Sequence, residues 1–198
     1  MLVDGEEKME NHVCMVIDID RCWGCRACEI ACKQELELGV GPRPMQVIDI
    51  GPRKFDDRLH KESIPTMCLH CDQADCMDAC PTGAIYRAAD GTVQIDAANC
   101  NACAACQAAC PFGAVEDLTA EGKFVKCTLC FSRREAGGIP SCAQHCVGRA
   151  FTMATKAELE KVIGGRYSWT RGRVVYVSSK WMSLGKALEG DEQARVVR

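Results

Sequence analysis

Residues 100–111 read CNACAACQAACP, with four cysteines and a proline directly after the last of them. The spacing C-x2-C-x2-C-x3-C-P is one with which thiolates hold a cubic four-iron cluster. The two-residue gaps let a tight loop point three thiolates at three iron corners. Small residues between them, Ala102, Ala104 and Ala105, let the backbone lie close to the cluster sulfides. This stretch therefore predicts an iron–sulfur site.

The fourth cysteine of such a run follows a longer gap and points away from the first three. In bacterial ferredoxins with two clusters, the corresponding cysteine ligates the other cluster. One run of this kind therefore predicts a second one elsewhere in the chain.

The chain contains four runs of four cysteines, of which residues 100–111 form the third. The first is Cys22, Cys25, Cys28 and Cys32; the second is Cys68, Cys71, Cys76 and Cys80; the third is Cys100, Cys103, Cys106 and Cys110; the fourth is Cys127, Cys130, Cys142 and Cys146. The first run is followed by Lys33 instead of proline, and the second, which has four residues in its second gap, is followed by Pro81. The fourth has an eleven-residue loop in its second gap. Four complete runs predict sixteen ligands and four [4Fe-4S] clusters.

The repeats extend beyond the cysteines. Ile17-Asp18 precedes Cys22 by the offset at which Ile95-Asp96 precedes Cys100, which predicts a short strand entering each cluster loop. Residues 81–86 (PTGAIY) match residues 111–115 (PFGAV), and residues 146–150 are a degraded copy without the proline. The repeated unit is strand, cluster loop, short helix, strand. Two units make one module, so we predict an α+β fold of two fused bacterial-ferredoxin-like modules with irregular cluster loops.

The segments between the runs give coarser predictions. Helices are expected at 26–35, 130–135 and 155–163, the last capped by Thr155 and stopped by Gly164. Strands are expected at 45–50 and 174–178, a linker at 39–44 and a charged surface loop at 54–63. We expect residues 181–198 to lie on another subunit or to be partly disordered.

Composition narrows the class of protein. Seventeen cysteines in 198 residues fit either a secreted disulfide scaffold or a metal protein. Residues 1–12 are acidic and show no export signal, so a reducing, cytoplasmic location is expected. The chain has no long apolar run and is expected not to span a membrane. The formal charge of −3 and a pI near 5.8 argue against nucleic acid as a partner.

Taken together, these motifs resemble those of the iron–sulfur subunits of the complex molybdopterin oxidoreductases, of the dimethyl sulfoxide, nitrate and polysulfide reductase kind. The resemblance covers residues 13–154, and the stretches that carry it are 17–32, 65–71, 80–84, 91–111 and 126–133. Such subunits are electron wires without catalytic groups. Related subunits serve formate dehydrogenases, hydrogenases, carbon monoxide dehydrogenases and tungsten enzymes.

The resemblance implies how the ligands pair, with the first run joined to the fourth and the second to the third. Cluster 1 would take Cys22, Cys25, Cys28 and Cys146; cluster 2 Cys32, Cys127, Cys130 and Cys142; cluster 3 Cys68, Cys71, Cys76 and Cys110; cluster 4 Cys80, Cys100, Cys103 and Cys106. One module would then comprise residues 1–67 with 120–154, and the other residues 68–119. Residues 155–198 would be a C-terminal extension that contacts another subunit.

The resemblance also implies partners. We expect a larger catalytic subunit with a molybdenum or tungsten pterin, and a ferredoxin or further redox subunit. A cytoplasmic tungsten enzyme, such as aldehyde oxidoreductase or class II benzoyl-CoA reductase, fits the missing leader best. The departures from the family pattern are Ala102 in place of glycine, Phe112 in place of tyrosine and Val147 in place of proline. None of them removes a ligand.

Other residues near the runs have simpler interpretations. Cys14, the seventeenth cysteine, lies in an apolar strand and is expected to be a buried structural thiol. His70 and His145 adjoin ligand cysteines and are expected to form hydrogen bonds near a cluster rather than to ligate it. The basic residues that flank ligands are expected to be solvated charges, or else to raise a nearby potential; they are Lys33, Lys126, Arg133 and Arg149.

Two other functions remain open. A free polyferredoxin would carry the same clusters, although residues 33–67 and the tail are more surface than a carrier needs. Four zinc sites with four thiolates each are possible in principle, but these spacings are not those of zinc ribbons. We see no nucleophile–base pair, phosphate loop or pterin site, so the chain is predicted not to be an enzyme by itself.

Overall fold

The computed structural model describes residues 12–55, 58–118 and 122–180. The tail at 181–198, for which a subunit contact or disorder is expected, lies outside the described residues. No helix within the described ranges has the length and apolar composition needed to cross a lipid bilayer.

Short strands and helices alternate along the chain. The strands are β1 Val13–Asp18, β2 Met45–Phe55, β3 Arg58–Met67, β4 Ile85–Arg87, β5 Val93–Ile95, β6 Val115–Leu118, β7 Lys123–Lys126, β8 Phe151–Thr155, β9 Tyr167–Arg171 and β10 Val174–Ser178. The α-helices are α1 Ala27–Glu35, α2 Asp75–Asp78, α3 Ala105–Ala109, α4 Phe131–Glu135, α5 Ser141–Gln144 and α6 Leu159–Ile163. Two 3₁₀ turns, Ile19–Arg21 and Lys156–Glu158, complete the set for the described residues. The mixture agrees with the predicted α+β class, and the division into two modules stays a prediction.

One four-stranded sheet, in the order β8-β1-β10-β9, joins the two ends of the described chain. β1 pairs antiparallel with β8 and parallel with β10. The strand predicted at 174–178 is therefore confirmed, and it is an inner strand of the sheet.

The two inner strands are apolar on both faces, as expected for strands covered on both sides. Met15 and Tyr176 face the core that contains the cysteines of the first and fourth runs. Cys14 and Val175 face the opposite core, which helix α6 covers. Cys14 is only 1% exposed, as predicted for a structural thiol.

The charged segment at 54–63 is not a surface loop, and that prediction is wrong. Most of it belongs to a long antiparallel hairpin of β2 and β3, in which Asp49 pairs with Ser63. One face of the hairpin is solvated, and there Lys61 forms an ion pair with Asp49 at 3.0 Å. The opposite face buries Ile64. A hairpin with one solvated face can contain as many charged residues as a surface loop, and for this reason the sequence-based prediction was wrong.

Proline explains the different lengths of the helices that carry cysteines. Helices α2 and α3 have four and five residues and end before Cys80-Pro81 and Cys110-Pro111. A proline disfavours the helical conformation of the residue before it. Lys33 stands at that position in the first run, and α1 continues to Glu35 for a total of nine residues.

The helix predicted at 155–163 is present in two parts, a 3₁₀ turn followed by α6. Thr155 caps it as predicted, with Glu158 accepting hydrogen bonds from the Thr155 backbone N–H and hydroxyl. Gly164 ends it in the left-handed conformation. This helix closes the face of the sheet that lies away from the cysteines of the four runs.

Candidate metal centres

The structure brings the cysteines of the four runs together in four groups, which we name sites 1 to 4. Site 1 contains Cys22, Cys25, Cys28 and Cys146; site 2 contains Cys32, Cys127, Cys130 and Cys142; site 3 contains Cys68, Cys71, Cys76 and Cys110; site 4 contains Cys80, Cys100, Cys103 and Cys106. The members match the sets that the resemblance implied. That each group ligates one cluster stays a prediction.

Site 1 joins the loop after β1 to the loop after α5. Burial raises the pKa of Cys28 to about 12, and the neighbouring thiols Cys22 and Cys146 act in the same direction. The Ala150 backbone N–H donates to Cys146 Sγ at 3.2 Å. Cys25 is exposed, so this site reaches the protein surface.

Site 2 is the most deeply enclosed. Its four thiols line one cavity together with apolar side chains that include Met15, Met45 and Leu129. Burial raises the pKa of Cys32 to about 12, with Cys130 as the next contribution. The Ser141 backbone N–H donates to Cys130 Sγ at 3.4 Å.

Site 3 lines a second cavity, which it shares with His70 and Lys126. Burial raises the pKa of Cys76 to about 11. Burial also lowers the pKa of His70 well below its usual value, with the positive charge of Lys126 as the second cause.

Site 4 lines a third cavity and lies nearer the surface, since Cys103 is exposed. The pKa of Cys80 is lowered, whereas the pKa of a buried thiol such as Cys28 is raised. Its slight burial would raise this pKa, but hydrogen bonds from the Thr82 side chain and from backbone N–H groups, including that of Ala84, lower it. The surroundings of Cys80 therefore favour its deprotonation.

A shared backbone conformation shapes the four cluster loops. The residue before the second cysteine of each run is left-handed, and these residues are Gly24, His70, Ala102 and Leu129, with φ of 67°, 47°, 56° and 52°. This turn aims backbone N–H groups at the first thiol of the run. Leu129 N–H donates to Cys127 Sγ at 3.3 Å, and His70 N–H donates to Cys68 Sγ at 3.5 Å.

A second set of N–H donors follows the last cysteine of a run. Ala114 N–H donates to Cys110 Sγ at 3.4 Å, as Ala150 does to Cys146. Ala84 occupies the same position after Cys80. The sequence repeat of 81–86, 111–115 and 146–150 signalled this arrangement, although sequence reasoning did not identify the donors.

The four sites have an order. Cys28 of site 1 is among the neighbours that raise the pKa of Cys142 in site 2, after burial and the closer thiols. Cys68 of site 3 has the same effect on Cys127 of site 2. Cysteines of sites 3 and 4 pack against one apolar core. Sites 1, 2, 3 and 4 therefore adjoin in that sequence, and the exposed Cys25 and Cys103 lie in the two outermost sites.

The donor sets fit [4Fe-4S] clusters. Each site offers four thiols, and N–H groups directed at sulfur are a feature that tunes such clusters. In the described part of the chain, no three His, Cys, Asp or Glu side chains lie close enough to hold a single metal ion. Burial keeps thiols such as Cys28 and Cys32 protonated in the absence of metal, so ligation must release protons.

The flanking basic residues differ in role. The solvated-charge prediction is wrong for Lys126, which is 1% exposed and donates to the carbonyl oxygens of Val93 and Cys127. Lys33 donates to Pro42 O at 2.9 Å and fastens the linker at 39–44. Arg133 forms an ion pair with Glu35 at 3.0 Å. Arg149 donates weakly to Gln144 O.

Comparisons with known proteins identify iron–sulfur relatives of this chain. Two family profiles, both described as a 4Fe-4S dicluster domain, match residues 21–84 and 59–156. The chain is 35% identical to the thiosulfate reductase electron transfer subunit of Salmonella typhi, over 79% of this chain and 83% of that protein. It is 33% identical to one polypeptide of the anaerobic dimethyl sulfoxide reductase of Escherichia coli K12, over 75% and 76%. It is 35% identical to one subunit of the tetrathionate reductase of Salmonella typhimurium, over 73% and 58%.

Proposed function

Since this chain belongs to the family of iron–sulfur electron-transfer subunits of molybdopterin reductases, we propose that it relays electrons through sites 1 to 4 in that order. Its function is electron transfer to or from a catalytic subunit, and it is not itself the catalytic subunit. Two dicluster matches and four complete cysteine runs give four [4Fe-4S] clusters per chain. The order of the sites and the ligand set of each cluster are our proposals.

The adjacency of the sites supports this proposal. Each [4Fe-4S] cluster, when bound, accepts and returns one electron without changing its ligands. Electron transfer through the chain needs each cluster to lie close to the next. Cys28 of site 1 lies near Cys142 of site 2, and Cys127 of site 2 lies near Cys68 of site 3, which accounts for two of the three transfers. Sites 3 and 4 pack against one apolar core, which accounts for the third transfer.

The residues of the chain would bind and enclose the centres. Sixteen thiolates would ligate iron, and backbone N–H groups such as that of Leu129 would orient the sulfur atoms and stabilise their negative charge. Apolar side chains exclude water from the inner sites, as Met15 and Met45 do at site 2. The exposed Cys25 and Cys103 mark the two places where electrons would enter and leave.

Metal content and electron uptake test the proposal. Anaerobically prepared, fully reconstituted protein should contain about sixteen iron atoms per chain and take up about four electrons from dithionite, one for each cluster. It should turn over no substrate alone. Zinc in place of iron, or turnover by the isolated chain free of any pterin, would contradict the assignment.

The partner is proposed to be a larger subunit with a molybdenum or tungsten pterin, with a ferredoxin or another redox subunit at the opposite end. The names of the three relatives support a reductase complex. Affinity purification of the tagged chain from its own host, followed by metal analysis of the large subunit, shows whether the partner contains molybdenum or tungsten. Recovery without any large subunit would favour a free polyferredoxin.

We also propose that the protein works in the cytoplasm, because a reducing compartment keeps cysteine thiols free to bind iron. Cell fractionation tests this, and recovery of the cluster-loaded chain in a periplasmic fraction would contradict it.

A further inference from the structure

His70 occupies an unusual position in site 3. It lies between Cys68 and Cys71 and is 0% exposed. Its side chain lines the cavity that the four thiols of site 3 share. Its backbone is left-handed, at φ 47°, and its imidazole lies in the protein interior.

One hydrogen bond fixes the protonation of the ring. The Val93 backbone N–H donates to His70 Nδ1 at 3.0 Å. Nδ1 is thus an acceptor without a proton, and the neutral ring must carry its proton on Nε2.

The Nε2–H group is left without a protein partner. Among the described residues it is one of the few buried side-chain nitrogen or oxygen atoms that form no hydrogen bond. A buried donor without an acceptor is costly, and a native structure that contains one calls for an explanation. The cavity of site 3, which His70 lines, is where an acceptor for this proton would lie.

We propose that His70 Nε2–H donates a hydrogen bond to the cluster bound at site 3, at a sulfide or at a cysteine sulfur, and thereby raises its reduction potential. The inference rests on the proposed ligand set of that site. Reduction adds one electron and breaks no bond, and the proton stays on Nε2. The added negative charge strengthens the hydrogen bond, so His70 favours the reduced form.

A buried cation stands beside this donor. Lys126 lines the same cavity, and its ammonium donates to the carbonyl oxygen of Val93, the residue whose N–H binds His70. A single residue of β5 thus holds both groups in place. Both residues line the cavity of site 3, and a positive charge beside it suits a negatively charged occupant.

Two variants separate the donor from the structural contact. In His70→Asn the amide oxygen can replace Nδ1 as the acceptor for Val93 N–H, but nothing replaces Nε2. In His70→Gln the amide nitrogen lies near the place of Nε2, but the acceptor for Val93 is lost. We expect His70→Asn to lower the equilibrium constant for reduction of one cluster about tenfold, or about 59 mV for one electron, and His70→Gln to preserve most of it. EPR-monitored redox titration of the cluster-loaded protein measures both.

His145 provides the matched control. It precedes Cys146 as His70 precedes Cys71, but it is exposed and its ring nitrogen Nδ1 bonds to Ser141 O at 2.9 Å. His145→Asn should leave all four potentials unchanged. An unchanged potential in His70→Asn, or the reverse ranking of His70→Asn and His70→Gln, would overturn the proposal.

Spectroscopy of the unmutated protein gives an independent test. Pulsed EPR of reduced protein with ¹⁵N-labelled histidine should show a nitrogen coupled to a cluster, and His70→Asn should abolish that signal while His145→Asn keeps it. A signal that survives in His70→Asn would refute the assignment. Iron analysis distinguishes the two levels of failure. Full iron with unchanged potentials refutes the role of His70 alone, whereas missing iron in the unmutated protein refutes the ligand set.

Discussion

Gly148 lies against the backbone carbonyl oxygen of Arg21, so closely that a Cβ at position 148 would be 2.1 Å from that oxygen. Through this contact, the loop after α5 packs closely against the loop after β1. It is the approach that brings Cys146 to Cys22, although more than a hundred residues separate them in the chain.

Gly148→Ala should disrupt site 1. The added methyl group meets backbone rather than a flexible side chain, so the two loops must separate and Cys146 must withdraw from the other three thiols. We expect reconstituted protein to lose about four iron atoms per chain. Gly39→Ala is the control, because a Cβ there has nothing within 4 Å. Equal iron content in the two variants would contradict the role of this contact.

Ala102→Gly should stabilise the protein. Ala102 has φ of 56°, a conformation that costs an L-residue with a Cβ roughly 1–2 kcal/mol, whereas glycine adopts it freely. Gly24 stands at the equivalent place in the first run with φ of 67°. We expect a gain of about 1 kcal/mol, after allowance for the greater flexibility of glycine in the unfolded chain, measured as slower cluster loss in denaturant.

The control for that prediction is Ala108→Gly on the exposed side of α3. Glycine inside a helix is unfavourable, so this variant should lose clusters faster. If both substitutions accelerate cluster loss, the strain assigned to Ala102 is not a significant contribution to stability.

Local patterns predicted the parts of the fold that depend on neighbouring residues. The strand after each Cys-Pro pair, the cap at Thr155 and the stop at Gly164 follow from short-range turn and helix chemistry. The grouping of the cysteines followed from resemblance, because spacing alone cannot say which distant run supplies the fourth thiol.

What sequence reasoning missed depends on distant contacts. Lys126 looks like a surface charge beside a ligand, and only the approach of β7 to β5 buries its ammonium against Val93 O. β10 lies beside β1 because the two strands pair in parallel, although they come from opposite ends of the described chain. Alanine itself does not predict the left-handed conformation of Ala102, which is signalled indirectly by the glycine at the equivalent position of the first run, Gly24.

Paired substitutions test the ligand sets. Cys22→Ala with Cys28→Ala removes two thiols from site 1 and should cost about four iron atoms. Cys28→Ala with Cys32→Ala removes one thiol from each of two sites, although both lie on α1, and should cost about eight. Iron and sulfide analysis after anaerobic reconstitution measures the difference. Equal losses in the two double variants would mean that Cys28 and Cys32 serve the same cluster.

Asp90 should contribute pH-dependent stability. Partial burial raises its pKa, but hydrogen bonds from Thr92 and Arg134 outweigh this effect and hold the pKa below the usual value. Arg134 lies 2.6 Å from the carboxylate. A depressed pKa means that the contribution is complete above the ordinary carboxyl pKa, about 4, and is lost as the pH falls through the folded value.

Asp90→Asn should therefore lower the stability by about 1 kcal/mol at pH 7, and the gap from the unmutated protein should narrow on acidification below about pH 4. Denaturant midpoints of the two proteins at each pH give the gap directly. The exposed Asp78, replaced by Asn, should show no such gap. A difference for Asp90→Asn that stays constant across the acid range would exclude an electrostatic origin.

The pairing of β1 with β8 and β10 has a consequence for biosynthesis. Both partner strands are made more than a hundred residues after β1, a delay of roughly ten seconds on a ribosome. During this interval strand β1 and the site 1 cysteines Cys22, Cys25 and Cys28 remain without their partners. The thiols of sites 3 and 4, all within residues 68–110, emerge earlier and close together. Iron insertion can thus begin in the middle of the nascent chain, and the amino-terminal cysteines, although translated first, are the ones that must be protected longest.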